Sequence, residues 1–209
     1  RGEAAALSKD PDNKWFWRFN MRRLTAEELR DSVLAATGRL NRKMGGPSIY
    51  IKLSAEVLAT SSTKGGKWGN SPEEEQTRRS VYIKVKRSLV PPILQDFDLA
   101  DTDGTCPVRF RSILPTQALA MMNSPYVREM AEKFAQRIHS DDKVPVDEVV
   151  RRAYTHALAR PPAPGEQQQM VAFIQGQAAS YGSDAQAMKL AIADFCQTVI
   201  CLNEFIFVD

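Results

Sequence analysis

Through most of the second half of the chain, apolar residues recur every three or four positions, which predicts a run of helices. Ser124 or Asn123 reads as an N-cap, with Pro125 in the first turn, where its missing N–H costs nothing. Val127, Met130, Ala131, Phe134 and Ile138 then form one stripe. A second stripe runs Val146, Val149, Val150, Ala153, Tyr154, Ala157 and Leu158. The prolines of "PPAPGEQQQ" end that helix, and Glu166 suits the positive end of the next. Met170, Phe173, Ile174 and Tyr181 give the third helix its inward face, and Gly182 closes it. Ser183 and Asp184 open the last helix, through "AQAMKLAIADFCQTVICLNEFIF". That helix is apolar over more than half its surface, which predicts a place at the centre of a bundle.

The first half mixes periods. Thr25 and Glu28 form a capping box, with Leu24 and Leu29 placed as a hydrophobic staple. Leu29, Val33, Leu34 and Ala36 face inward, and Gly38 stops the helix. "SIYIKL" and "RRSVYIKVKR" alternate instead, with Ile49, Ile51 and Leu53 on one face and Val81, Ile83 and Val85 on the other stretch. Period two predicts a small antiparallel pair. The polar linker between them, "ATSSTKGGKWGNSPEEEQ", reads as mobile, and a short helix starts near Pro115. The expected fold is mainly α, a bundle of five or six helices with a small two-stranded antiparallel β element in the N-terminal half. Residues 1–209 form a single domain, mixed over 1–111 and a helical bundle over 112–209.

Composition adds exclusions. With 209 residues, 43% hydrophobic and 25% charged, the chain is an ordinary globular sequence, not a fibrous or wholly disordered one. No apolar run reaches the roughly 18–20 uncharged residues of a membrane span. The net charge of +3 does not call for nucleic acid. Between Arg39 and Arg111, 13 basic residues face 8 acidic ones, which makes the middle third mildly basic. The chain starts at Arg1 without a charged-then-apolar leader, and "RGEAAALSKDP" reads like the interior of a longer protein.

Candidate chemistry concentrates in one loop. Asp96, Asp98, Asp101 and Asp103 fall within eight positions, a density that suits Ca²⁺ or Mg²⁺. The EF-hand template fails, because alignment on Gly104 puts Leu99 and Phe110 at ligand positions. The favoured reading is a hydrated turn whose aspartates cap backbone, with Ca²⁺ the lesser alternative and no metal required. Arg78, Arg79, Arg109 and Arg111 offer forks for a carboxylate or phosphate, though pairing with the acidic turn is their simplest use. A basic run through Arg78, Arg79, Lys84, Lys86 and Arg87 is a weak nucleic-acid candidate. Trp15, Phe16 and Trp17 beside Arg18, Arg22 and Arg23 could stack on a sugar or base; burial in a core or against an upstream segment is favoured. His139 and His156 stand apart on different helices and read as structural. Walker, dinucleotide, nucleophile-elbow and metalloprotease motifs are absent.

The cysteines are Cys106, Cys196 and Cys201, with no CxxC or CxxCH, so the sequence holds no c-type haem attachment. On one helix, Cys196 and Cys201 lie about 7.5 Å apart along the axis and on different faces, which disfavours a bridge between them. Cys106 could pair with either if the fold allows; free thiols are the favoured reading.

Four strings occur in an informative order: "DPDNKWFWRFNMRRLTAEELRDSVLAATGRLNRKMGG", "RRSVYIKVKRSLVPPILQDFDLADTDGTCPVRFRSILPTQALAMMNSPYVREMAEKFAQRI", "AYTHALARPPAPGE" and "CLNEFIFVD". Together they resemble the C-terminal part of the domain-of-unknown-function 1553 family, the planctomycete surface-domain proteins. The matching positions include Asp96, Phe97, Asp98, Asp101, Cys106, Pro107, Arg109, Pro115, Gln117, Asn123, Ser124, Asn203, Glu204 and Phe205. The resemblance implies an extracytoplasmic setting in the periplasm or at the cell surface, and a multidomain bacterial parent that often carries a cytochrome-c-like domain. In that setting a bridge from Cys106 to Cys196 or Cys201 gains weight. The family supplies no accepted catalytic residues and no cofactor for this chain. The expected function is a non-catalytic structural or interaction module, docked to upstream domains of its parent or to a surface partner. The alternatives are part of an extracytoplasmic enzyme or redox protein acting on polysaccharide or with a cytochrome-c domain, with Asp96, Asp98, Asp101, Arg109 and Arg111 lining its site, and nucleic-acid binding through the basic strand.

Overall fold

A computed structural model describes residues 4–60, 68–141, 143–182 and 185–208. Among these the chain is mainly helical. In chain order the elements are α1 (Ala4–Lys9), β1 (Arg22–Arg23), α2 (Ala26–Ala36), α3 (Ala55–Ala59), α4 (Glu73–Gln76), α5 (Pro92–Asp96), α6 (Pro115–Asn123) and α7 (Pro125–Ile138). They continue with α8 (Val146–Leu158), α9 (Pro164–Tyr181), α10 (Ala185–Cys201), α11 (Asn203–Ile206) and β2 (Phe207–Val208). A 3₁₀ turn occupies Ser80–Tyr82.

The helix boundaries follow local chemistry. Thr25 Oγ1 accepts from Glu28 N, and Thr25 N donates 2.8 Å to Glu28 Oε2, so the capping box opens α2. Ser124 Oγ accepts from Val127 N at the start of α7. At α9, Ala163 N donates 2.7 Å back to Glu166 Oε2. Gly38, at φ +73°, ends the α2 segment, and Arg39 N and Leu40 N return to Leu34 O. A Cβ on Gly38 would lie 3.1 Å from the Arg137 guanidinium, which donates to Ala35 O (3.0 Å) and Ala36 O (2.6 Å). The left-handed backbone and the close arginine both favour glycine there.

The expected bundle is built by α2 and α6 to α10. Helix α10 is its centre, packing on α6, α7, α8, α9 and α11. Ala191, Ile192, Phe195, Cys196, Val199 and Ile200 are all buried along it. It is shorter than the apolar run suggests: Leu202 is extended and serves as the N-cap of α11. Tyr181, expected to face inward, is half exposed and donates 2.7 Å to Asp194 Oδ2. Ser183 and Asp184 lie outside the described residues.

The two-stranded antiparallel sheet is present, with one strand in the N-terminal half. It is made by β1 and β2, pairing Arg22 with Val208 and Arg23 with Phe207. The alternating stretches at 49–53 and 81–85 meet instead at one parallel bridge, Ile49 to Ile83. No ladder extends from it, because Ser80 N and Ser80 Oγ both donate 2.7 Å to Asp31 Oδ1 and hold the chain in the 3₁₀ turn. Val81 is thereby turned to solvent while Ile83 stays in the core. Part of the linker read as mobile is ordered. Trp68 stacks edge-on against Tyr50 at 5.3 Å and donates from its indole nitrogen to Ile51 O, and α4 follows. Residues 61–67 of it lie outside the described residues.

Two outcomes test this packing. Phe195→Ala at the hub should cost about 3–5 kcal/mol in urea denaturation. Glu28 is held near a pKa of about 2, chiefly by the Arg22 guanidinium at 2.8 Å, against partial desolvation. Its folded pKa lies below its ordinary 4.5, so its contribution is complete above pH 4.5 and lost as pH falls towards 2. Glu28→Gln should therefore flatten that part of the acid limb in urea titrations at pH 5 and 2.5.

Candidate functional site

The four aspartates of the acidic loop point to four different uses. Asp98 sits at φ +60° and is the anchor. Its carboxylate accepts 2.6 Å from Arg23 Nη2 and 2.7 Å from Ser112 N, and also from Ser112 Oγ. Arg23, only 3% exposed, donates further to Leu24 O, Phe97 O and Ser112 O and stacks over the Phe97 ring at 5.1 Å. Gln117, also buried, donates to Asp96 O and Ser112 Oγ, while its Oε1 accepts from Leu114 N. Asp101 caps Asp103 N, and Asp103 pairs with Arg87. Among the described residues no three His, Cys, Asp or Glu side chains are grouped to hold a metal ion.

The arginines divide in the same way. Arg109 reaches across to α2 and donates from Nη1 to both oxygens of Glu27 (2.7 and 2.9 Å), while Arg111 is exposed. Arg78 is fully buried: it stacks on Tyr82 at 4.0 Å, pairs with Glu75 at 3.1 Å, and donates to Gly45 O and Pro47 O. Arg79 meets Asp31 at 3.4 Å, and Lys86 lies over Trp68 at 5.8 Å. The basic run weighed as a weak nucleic-acid candidate is thus partly interior and partly paired. The aromatic segment goes the other way. The Trp15 and Phe16 rings are largely exposed rather than set in a core, while the Trp17 ring nitrogen donates to Asp10 O.

A cleft of about 710 Å³ opens between α2, the stretch 51–57, α5 and the α6–α7 junction. Leu34, Ile51, Phe97 and Met121 form its apolar floor. Asp96 stands on the rim, where partial desolvation raises its carboxyl above the usual range. Arg30 and Tyr126 line the cleft as well. Neither was singled out from the sequence, although Arg30 falls on the inward stripe of α2, between Leu29 and Val33.

All three thiols are free: Cys106 is exposed in the loop, Cys196 is buried in α10, and Cys201 is half-buried at its end. No bridge joins Cys106 to either helix cysteine. Burial raises the Cys196 thiol and pushes Cys201 up to about 11, so both are poor nucleophiles. His139 ends α7 through its backbone N–H, which donates to Ala135 O. His156 is lowered by desolvation first, then by Arg137 and Arg152.

The bracing use of the loop separates its aspartates by stability. Asp98→Ala leaves Arg23 buried without its anion and should cost about 3–5 kcal/mol in urea denaturation. Asp101→Ala, at an exposed turn, should cost about 1 kcal/mol or less.

No curated protein and no solved structure matches the chain. A family model described as PSD1, protein of unknown function (DUF1553), matches residues 1–174. These residues include α2, the Arg23–Asp98–Ser112–Gln117 network and the cleft, and the chain belongs to that family.

Proposed function

We propose that this chain is a non-catalytic helical interaction module of a larger bacterial protein that works outside the cytoplasm, and that it docks against upstream domains of that parent. One observation carries the reading: Asp98, Asp101, Asp103 and Arg109 of the loop are engaged within the chain, while large apolar side chains on neighbouring segments face solvent. Phe110 is 90% exposed and Phe16 86% exposed, with Phe19, Met21, Val108 and Ile113 also exposed. The two segments that bear them are tied together where Arg23 Nε donates 3.0 Å to Ser112 O. Exposed apolar groups in such number on neighbouring segments are a mark of contact surfaces. The extracytoplasmic setting and the upstream partner rest on the family resemblance.

The test is calorimetric titration of this chain with the remainder of its parent polypeptide, produced separately. Saturable binding is expected, weakened at least tenfold by the double variant Phe110→Ser, Ile113→Ser, with thermal stability within a few degrees of the parent chain. Absence of binding, or binding indifferent to that variant, would overturn the reading.

A further inference from the structure

We propose that the cleft between α2, α5 and the α6–α7 junction binds a small amphipathic carboxylate, its apolar body on the floor and its carboxylate at Arg30 and Tyr126. This site is separate from the exposed apolar segments and stands or falls independently of the docking reading. Its volume, about 710 Å³, is that of a small-molecule site.

Two residues that line the cleft carry buried donors without acceptors. Arg30 is 1% exposed. Its terminal nitrogens donate to Arg78 O (3.0 Å), Ser80 Oγ (3.1 Å) and Gln76 O (2.6 Å). Its Nε is buried with no acceptor, and none of its hydrogen bonds ends on a carboxylate among the described residues. Asp31, its chain neighbour, is bonded to Ser80 and Arg79. The Tyr126 hydroxyl is buried and equally without a partner. The Arg30 guanidinium carbon lies 6.0 Å from the centre of the Tyr126 ring, so the two side chains are neighbours, and both line the cleft.

A buried N–H, a buried O–H and a cation bonded mainly to neutral carbonyls are complementary to one anionic acceptor. The rest of the site selects what carries it. Leu34, Ile51, Phe97 and Met121 reward an apolar body. At the rim, Arg39 is engaged by Glu73 at 2.6 Å, and Asp96 and Glu129 outweigh the one further lining cation, Lys52, so a second negative charge is disfavoured there. A molecule with one carboxylate and an uncharged body fits both ends.

The test uses octanoate, 1-octanol and octylammonium, titrated into the full chain by calorimetry at pH 7. Octanoate is expected to bind at least tenfold more tightly than the other two. Tyr126→Phe should weaken octanoate about tenfold and leave octanol unchanged. The melting temperature should hold, because that hydroxyl has no protein partner to lose. Val57→Trp, which fills the cleft, should abolish binding of both. Arg30 also braces residues 76–80, so it is left in place. Octanol binding as tightly as octanoate, Tyr126→Phe without effect, octanoate binding that survives Val57→Trp, or no binding up to the solubility limit would each overturn the proposal.

Discussion

A guanidinium taken out of water must find acceptors for its N–H groups, and a buried loop carbonyl must find a donor. That double requirement organises the N-terminal half of this protein. Arg23, Arg30 and Arg78 are all at most 3% exposed. Between them they donate to Gly45 O, Pro47 O, Gln76 O, Arg78 O, Phe97 O and Ser112 O. Each of those carbonyls lies outside the long helices. A rigid fork of donors ties several strands of irregular chain at once, which a lysine ammonium on a flexible stem would do poorly. The arginines thus supply the cross-links that a sheet would otherwise supply.

The same device joins the two halves. Helix α2 presents Arg30 to residues 76–80 on one side, and its last carbonyls receive Arg137 from α7. Ala35 O also accepts from Gly38 N, so Arg137 reinforces the closing turn of the helix and docks α7 on it. At the far end Arg160 grips Glu166 at 2.7 Å and Glu204 at 2.6 Å and lies over Tyr154, which fastens α8, α9 and α11 together. Arg128 does the same between α7 and Asp194 of α10. Apolar burial makes the bundle; arginine fixes how the irregular chain sits upon it.

These two kinds of interaction differ in how well the sequence reveals them. The helical stripes at 127–138 and 146–158, the Thr25 capping box and the central place of α10 were readable, because their signals are local and repeat every turn. The true strand pair was not, since Arg22 and Val208 are about 185 positions apart and two residues carry no period. The alternation at 81–85 misled for a physical reason: Asp31 holds Ser80 in a 3₁₀ turn, and no residue near Val81 announces that partner. Arg23 to Asp98 spans 75 positions and Arg30 to Ser80 spans 50. Such pairings follow from the finished fold, so Asp98 and Arg78 could be named as noteworthy but not assigned their work. The cleft was invisible for the same reason, being walled by segments from 30 to 130.

The positions that carry the family resemblance acquire a meaning from this. Phe97 is buried under Arg23, Asp98 holds that arginine, and Gln117 closes the loop on Asp96 O and Ser112. Ser124 caps α7, Glu204 pairs with Arg160, and Phe205 is in the core. Replacing Phe97, Asp98, Gln117 or Phe205 would leave a cavity or a buried donor without its acceptor, the costliest kinds of single change, whereas Ser124 and Glu204 act nearer the surface. A signature built from such residues specifies an architecture and is silent about chemistry. Arg78 also keeps a buried Nε without a partner, but Arg30 and Tyr126 are the instructive contrast, because the polar atoms they leave over belong to residues that line the cleft. Where bracing accounts for a buried polar group completely, architecture is sufficient explanation; where it leaves a donor over beside a cleft, the remaining requirement points beyond the fold to something it holds.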